Sequence, residues 1–144
     1  MTRADLVAFI RRHRLAVVAT VSAAGGPQAA VVGIAVSDDL ELVFDTLDSS
    51  NKARNLRRDG RIAVVVGWDE EQTVQVEGVA DEPAGAELEA VRRIYFQAFP
   101  DGPTRLSWPG ITHVRVRPAW IRYSDFRGPE PQIVELAAAD LAGG

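Results

Sequence analysis

The stretch DSSNKARNL, residues 48–56, gathers two serines, an asparagine and Lys52, the one lysine among 16 basic side chains. Ser49 or Ser50 is placed to cap a short helix over residues 49–59. The first backbone N–H groups of a helix lack intrahelical acceptors and carry partial positive charge, so such a start seats an anion well. The serine hydroxyls add donors, Lys52 adds a compact, mobile ammonium, and Arg54 brings a second cation nearby. Phosphate capture is the chemistry these residues are equipped for. The plainer alternative is a solvated helix with an ordinary serine cap.

The other chemically able residues are dispersed. His13 and His113 stand far apart with no third ligand suggested, so no metal is expected. The run Asp69, Glu70 and Glu71 reads as a solvated loop. No Ser/His/Asp set comes with a nucleophile elbow, and Arg57, Arg58 and Arg61 read as a solvent face. Trp68, Trp108 and Trp120 fit a core or an interface. With no cysteine there is no disulfide, no thiolate nucleophile and no sulfur-bound metal. The default compartment is then the cytoplasm. A net charge of −4 argues against a general nucleic-acid binder. No window approaches about 18 continuous apolar residues, so no membrane span is expected.

The elements that must position Lys52 follow from periodicity. The chain reads as one domain over residues 1–144, with 127–144 a tail that folds onto a partner or frays. Thr2 and Asp5 resemble a capping box ahead of an amphipathic helix over 3–13. Strands are expected over 15–22, 28–37 and 40–46, joined by short turns as an antiparallel meander. A strand over 61–68 and another over 73–82 follow the 49–59 helix. Leu88, Val91, Tyr95 and Ala98 share one face of a helix over 84–99. Residues 100–110 connect it to a long strand over 111–126, with a bulge expected at Pro118 because proline cannot donate to a ladder. About six strands with short turns favour a small closed barrel over a two-layer α+β sheet.

The run LAVVATVSAAGGPQAAVVGIAVSDDLELVFDTLDSSNKARNLRRDGRIAVVV, followed by TVQVEGVADEP, resembles the pyridoxamine 5′-phosphate oxidase-like family. The likeness spans roughly residues 5–124. It implies a mainly β chain with peripheral helices, folded as a six-stranded antiparallel split β-barrel of the FMN-binding type. It also implies a homodimer holding flavin mononucleotide (FMN) between the subunits. Val31, Val32 and Gly33 would then border the flavin ring, and Thr46 would help hold the cofactor. Ser50, Asn51 and Lys52 fall where the family grips the phosphate, usually with Ser-Arg-Lys, so Asn51 removes one charge that Arg54 is near enough to restore. Thr73, with Gln72 beside it, falls where the oxidases reach the flavin from the partner subunit.

Ala30 and Ala35 stand where the vitamin-specific enzymes carry charged residues, which argues against pyridoxamine 5′-phosphate as substrate. The resemblance therefore implies an FMN-dependent oxidoreductase with another small-molecule substrate. The same family includes deazaflavin (F420) users, haem binders and stress proteins, so an F420-dependent reductase or a non-catalytic flavin binder are the alternatives.

Overall fold

A computed structural model describes residues 1–141 of the chain. Helix α1 (Arg3–Arg12) opens with the expected capping box. Thr2 Oγ1 accepts the Asp5 N–H at 3.1 Å, and Asp5 Oδ2 accepts the Thr2 N–H at 2.9 Å. Its Leu6, Val7, Phe9 and Ile10 are buried in the main core.

Eight strand segments follow: β1 (Leu15–Val21), β2 (Pro27–Gly33), β3 (Ala35–Val36), β4 (Leu42–Leu47), β5 (Arg61–Val66), β6 (Gln72–Asp81), β7 (Ile111–Asp125) and β8 (Gln132–Ala137). Helix α2 (Asn51–Arg58) joins β4 to β5. Helix α3 (Gly85–Ala98) and a 3₁₀ turn (Gly102–Ser107) join β6 to β7, and α4 (Ala138–Leu141) follows β8. Among the described residues no helix is long and apolar enough to cross a membrane.

The hydrogen-bonded order is β2-β1-β5-β6-β7-β4-β3, every pair antiparallel. The two ends of that order, β2 and β3, are neighbours in sequence and meet at buried Ile34. The sheet therefore curls round until its ends share one bent strand, which gives six barrel positions and a split at the bend. Alternation along each strand sends Val18, Val32, Phe44, Val64, Val76 and Val116 into a single interior cluster.

Two expectations about the strands change. The segment 28–37 is not one straight strand: β2 pairs with β1, whereas β3 pairs with β4. The expected meander of the first three strands is thus interrupted at Ile34, because a closed sheet of this size must turn a corner. The bulge lies where proline suggested it. Glu77 pairs with Trp120 and Gly78 with Pro118, so Ala119 is extra. Gly78 is required there, since a Cβ would collide with the Arg117 carbonyl.

The tail is ordered through residue 141 rather than frayed. After the Pro/Gly-rich turn, β8 pairs with Trp120–Asp125 of β7, and Leu141 returns to the core at 8% exposure. The rest of the expected tail, residues 142–144, lies outside the described residues.

Candidate functional site

Ser50 is the N-cap of α2, which resolves the choice left open with Ser49. Its Oγ accepts the Ala53 N–H at 3.1 Å and the Thr46 hydroxyl at 2.9 Å. Two accepted bonds leave the Ser50 hydroxyl proton free to donate outward. The first intrahelical bond of α2 runs from the Arg54 N–H to the Ser50 carbonyl. The N–H groups of Asn51 and Lys52 precede it and have no acceptor within the helix. They stand at a cleft of about 450 Å³ lined by Val18, Thr20, Gln28, Ala29, Ala30, Asn51 and Lys52.

Arg54 donates to Asn51 Oδ1 at 2.9 Å, so its charge lies beside the position where the family usually has arginine. Lys52 has no ion-pair partner among the described residues. The cleft thus meets the start of a capped helix, two orphan amides and Lys52, with the Ser50 hydroxyl and Arg54 next to them in sequence. Those are the donors a phosphate monoester requires.

Polar contacts behind α2 fix its position. Asn55, 5% exposed, donates to Thr20 Oγ1 at 2.9 Å and to Gln28 Oε1 at 2.8 Å, tying the helix to β1 and β2. Arg58 donates to the Val21 carbonyl at 2.7 Å. Arg57 grips Glu82 through Nε and Nη2 and also reaches the Asp48 carbonyl at 3.1 Å. The Arg57 guanidinium holds the Glu82 carboxyl below its ordinary range, with the Thr112 hydroxyl assisting. These arginines face solvent as expected, but two of them also anchor the helix.

Several candidate residues have other neighbours than expected. Thr46 is buried, and its hydroxyl donates to Ser50. On β2, Val31 is 61% exposed, whereas Val32 points into the core. A Cβ at Gly33 would lie 2.8 Å from the ring of Phe99, the C-cap of α3.

Gln72 is buried and donates to the Tyr123 hydroxyl at 2.6 Å, while Thr73 pairs with Ser124. Register carries Val18 to Val64 and on to Val76, which places residues 72 and 73 toward the opposite end of the barrel from the Lys52 cleft. The single chain therefore brings together Ser50, Asn51, Lys52 and β2, but not Gln72 or Thr73.

Two groupings were not legible in the sequence. His13 acquires Asp69 and Glu70 as neighbours, the three donor atoms lying within 4.8 Å of one another. His113 is 2% exposed with neither ring nitrogen hydrogen-bonded, enclosed edge-on by Tyr95 and Phe96. Burial pushes its pKa below 6.5; Asp45 opposes that shift, and Arg92 and Arg105 add to it. Arg105 donates to Asp45 at 2.8 Å and so pins the 100–110 connector to the barrel. Trp68 and Trp108 are each about half exposed, at 51% and 52%, so neither is a core residue.

A curled antiparallel sheet with one bent strand and peripheral helices defines a split β-barrel. The model of the pyridoxamine 5′-phosphate oxidase family matches residues 2–125, and the chain belongs to that family. No curated protein matches it.

Among solved structures, the chain is similar to a heme-binding protein from Mycobacterium smegmatis, with a TM-score of 0.83 and 21% identity over 99% of this chain and 61% of that one. It is similar to a conserved hypothetical protein from Mycobacterium tuberculosis, with a TM-score of 0.73 and 27% identity over 88% of this chain and 86% of that one. It is also similar to a pyridoxamine 5′-phosphate oxidase-related, FMN-binding protein from Nostoc punctiforme, with a TM-score of 0.69 and 14% identity over 94% and 91% of the two chains.

Proposed function

We propose that the chain binds FMN and serves as a flavin-dependent oxidoreductase on a small molecule other than pyridoxamine 5′-phosphate. The observation that carries this reading is the Ser50-capped start of α2, where unpaired Lys52 and two orphan amides meet the Val18–Ala30 cleft. The phosphate would sit there, held by Lys52, the Ser50 hydroxyl and the Asn51 and Lys52 amides. The ring would lie along the exposed face of β2 at Val31. When bound, the flavin supplies hydride transfer, and the chain supplies binding, orientation and exclusion of water. The absence of an acid–base cluster at the cleft agrees with that division of labour. Ala30 and Ala35 have methyl side chains, so neither offers a charge to a substrate phosphate.

The working unit we infer is a homodimer. The outer face of β2-β1-β5-β6 leaves Leu15, Val31 and Val79 at 50%, 61% and 58% exposure, an apolar surface that a second copy would cover. Pairing across it would let Gln72 and Thr73 approach the cofactor of the partner subunit. A cysteine-free chain suits a cytoplasmic setting.

The family resemblance leaves F420 as the second reading, and uncharged Asn51 favours it by removing one cation from the phosphate seat. Titrating purified protein with FMN and with F420, followed by fluorescence, separates the two. The reading expects tighter FMN binding that is lost in Lys52→Ala. Anaerobic reduction of the bound flavin by NADH or NADPH then distinguishes an enzyme from a non-catalytic binder.

A further inference from the structure

The end of α1 and the β5–β6 turn meet around one aromatic ring. Phe9, 3% exposed, packs on Gly67, where a Cβ would lie 2.7 Å from the ring. Gly67 also has a φ of +80°, which only glycine adopts at little cost. His13 is the C-cap of α1, its N–H donating to the Ile10 carbonyl at 3.1 Å, and its ring lies 4.6 Å from that of Phe9. At the other end of the turn the Glu71 carbonyl accepts the Phe126 N–H at 2.8 Å. Backbone bonds and the Phe9 ring therefore fix both sides of this junction, and Asp69 and Glu70 lie between them.

A ring nitrogen of His13 and one oxygen from each of the two carboxylates lie within 4.8 Å of one another. His13 Nε2 is buried and has no hydrogen-bond partner, the condition of a polar atom that a ligand would satisfy. The neighbouring arginines are engaged with other groups. Arg12 stacks over Phe9 at 5.1 Å, Arg14 over Phe99 at 4.8 Å, and Arg127 pairs with Asp125 at 2.8 Å. Asp69 and Glu70 have no ion-pair partner among the described residues. Two carboxylates and an imidazole thus converge with no cation between them, an arrangement that a shared cation relieves.

One imidazole nitrogen and two carboxylate oxygens are a borderline donor set. Zn²⁺ takes such atoms at about 2.0–2.2 Å, whereas Mg²⁺ and Ca²⁺ favour oxygen alone. Two ligands of one Zn²⁺ are at most about 4.4 Å apart, so a small rotation of the exposed Asp69 and Glu70 side chains closes the set. We propose that His13, Asp69 and Glu70 bind a divalent transition-metal ion of the Zn²⁺ type, with water completing its coordination. The ion ties the end of α1 to the β5–β6 turn. Gln72 opens β6 just after that turn and donates to Tyr123 at 2.6 Å, so the tie also steadies the start of β6. The site lies away from the Lys52 cleft and does not depend on the flavin reading.

The test is calorimetric titration of ZnCl₂, and separately of MgCl₂, into tag-free wild type, His13→Ala and the double variant Asp69→Asn/Glu70→Gln, with NMR locating the site. Wild type is expected to bind one Zn²⁺ saturably, to shift the His13 ring signals and the Asp69 and Glu70 amides, and to prefer Zn²⁺ at least tenfold over Mg²⁺. His113, the other imidazole, is buried and should not shift. Both variants should bind Zn²⁺ at least tenfold more weakly. The double variant changes only exposed side chains, so its spectrum away from the turn should match wild type. Absence of saturable Zn²⁺ binding by wild type would overturn the proposal, and that result requires no variant. Binding unchanged in the double variant, or equal affinity for Mg²⁺, would overturn it too.

Discussion

Asn55 gives the sharpest test of how α2 is held over its cleft. Truncation to alanine removes two donated bonds, 2.9 Å to Thr20 and 2.8 Å to Gln28, and one accepted from Arg58 at 3.2 Å. A net hydrogen bond contributes about 1 kcal/mol, and a buried group left without a partner costs about 1–3 kcal/mol. Thr20 is 3% exposed and becomes such a group, whereas Gln28 is exposed and regains water. The expected loss for Asn55→Ala is about 3 kcal/mol, or a fall in Tm of about 10 °C for a chain of this size. Gln28→Ala alone should cost about 0.5 kcal/mol and be nearly neutral in the Asn55→Ala background. The measurement is urea unfolding at pH 7 of the wild type, both single variants and the double variant, which gives the coupling directly. A cost below about 1 kcal/mol for Asn55→Ala, or strictly additive losses, would refute the claim that this network anchors the helix.

Three further outcomes follow from the same structure. His113 is held neutral by burial, so between its folded pKa and 6.5 the unfolded chain binds a proton that the folded chain does not. Stability should therefore fall from pH 7 to pH 5 in denaturant unfolding, and His113→Leu should flatten that slope. Val79, 58% exposed on the outer sheet face, should tolerate aspartate with a stability change within about 0.5 kcal/mol. On the proposed dimer, Val79→Asp should halve the mass measured by light scattering and weaken FMN binding. Leu141 is 8% exposed within the main core, so Leu141→Ala should cost about 2 kcal/mol, whereas a dispensable tail would cost nothing.

The local signals read from the chain survive almost unchanged. Thr2 caps α1 with Asp5, Pro118 marks the bulge in β7, and Ser50 caps α2 three residues before Ala53. Each depends on residues close in sequence, where backbone chemistry decides the outcome. What the sequence could not give is the partner of each strand. The bend at Ile34 comes from barrel closure, and β8 becomes a strand because β7 runs past the end of β4 and leaves an open edge. VVG at 31–33 looks uniform, yet Val31 faces solvent, Val32 the core and Gly33 the Phe99 ring. An alternating strand whose two faces meet different elements can be sorted only once those elements are placed. Thr46 and Ser50 sit one turn apart and were both candidate ligand contacts. The structure buries Thr46 and has its hydroxyl donate to Ser50. Asn55 was missed because its partners are 35 and 27 residues away. A polar residue on the inner face of a short amphipathic helix was the signal available.

The most direct measurement of the central claim is a fluorescence titration of FMN into wild type and Lys52→Ala at low and moderate salt. The account predicts saturable quenching for wild type, a loss of at least tenfold in affinity for the variant, and a salt dependence that the variant largely lacks. Equal FMN affinity in the two proteins, or no binding by wild type, would contradict the claim that the start of α2 holds the phosphate of a flavin.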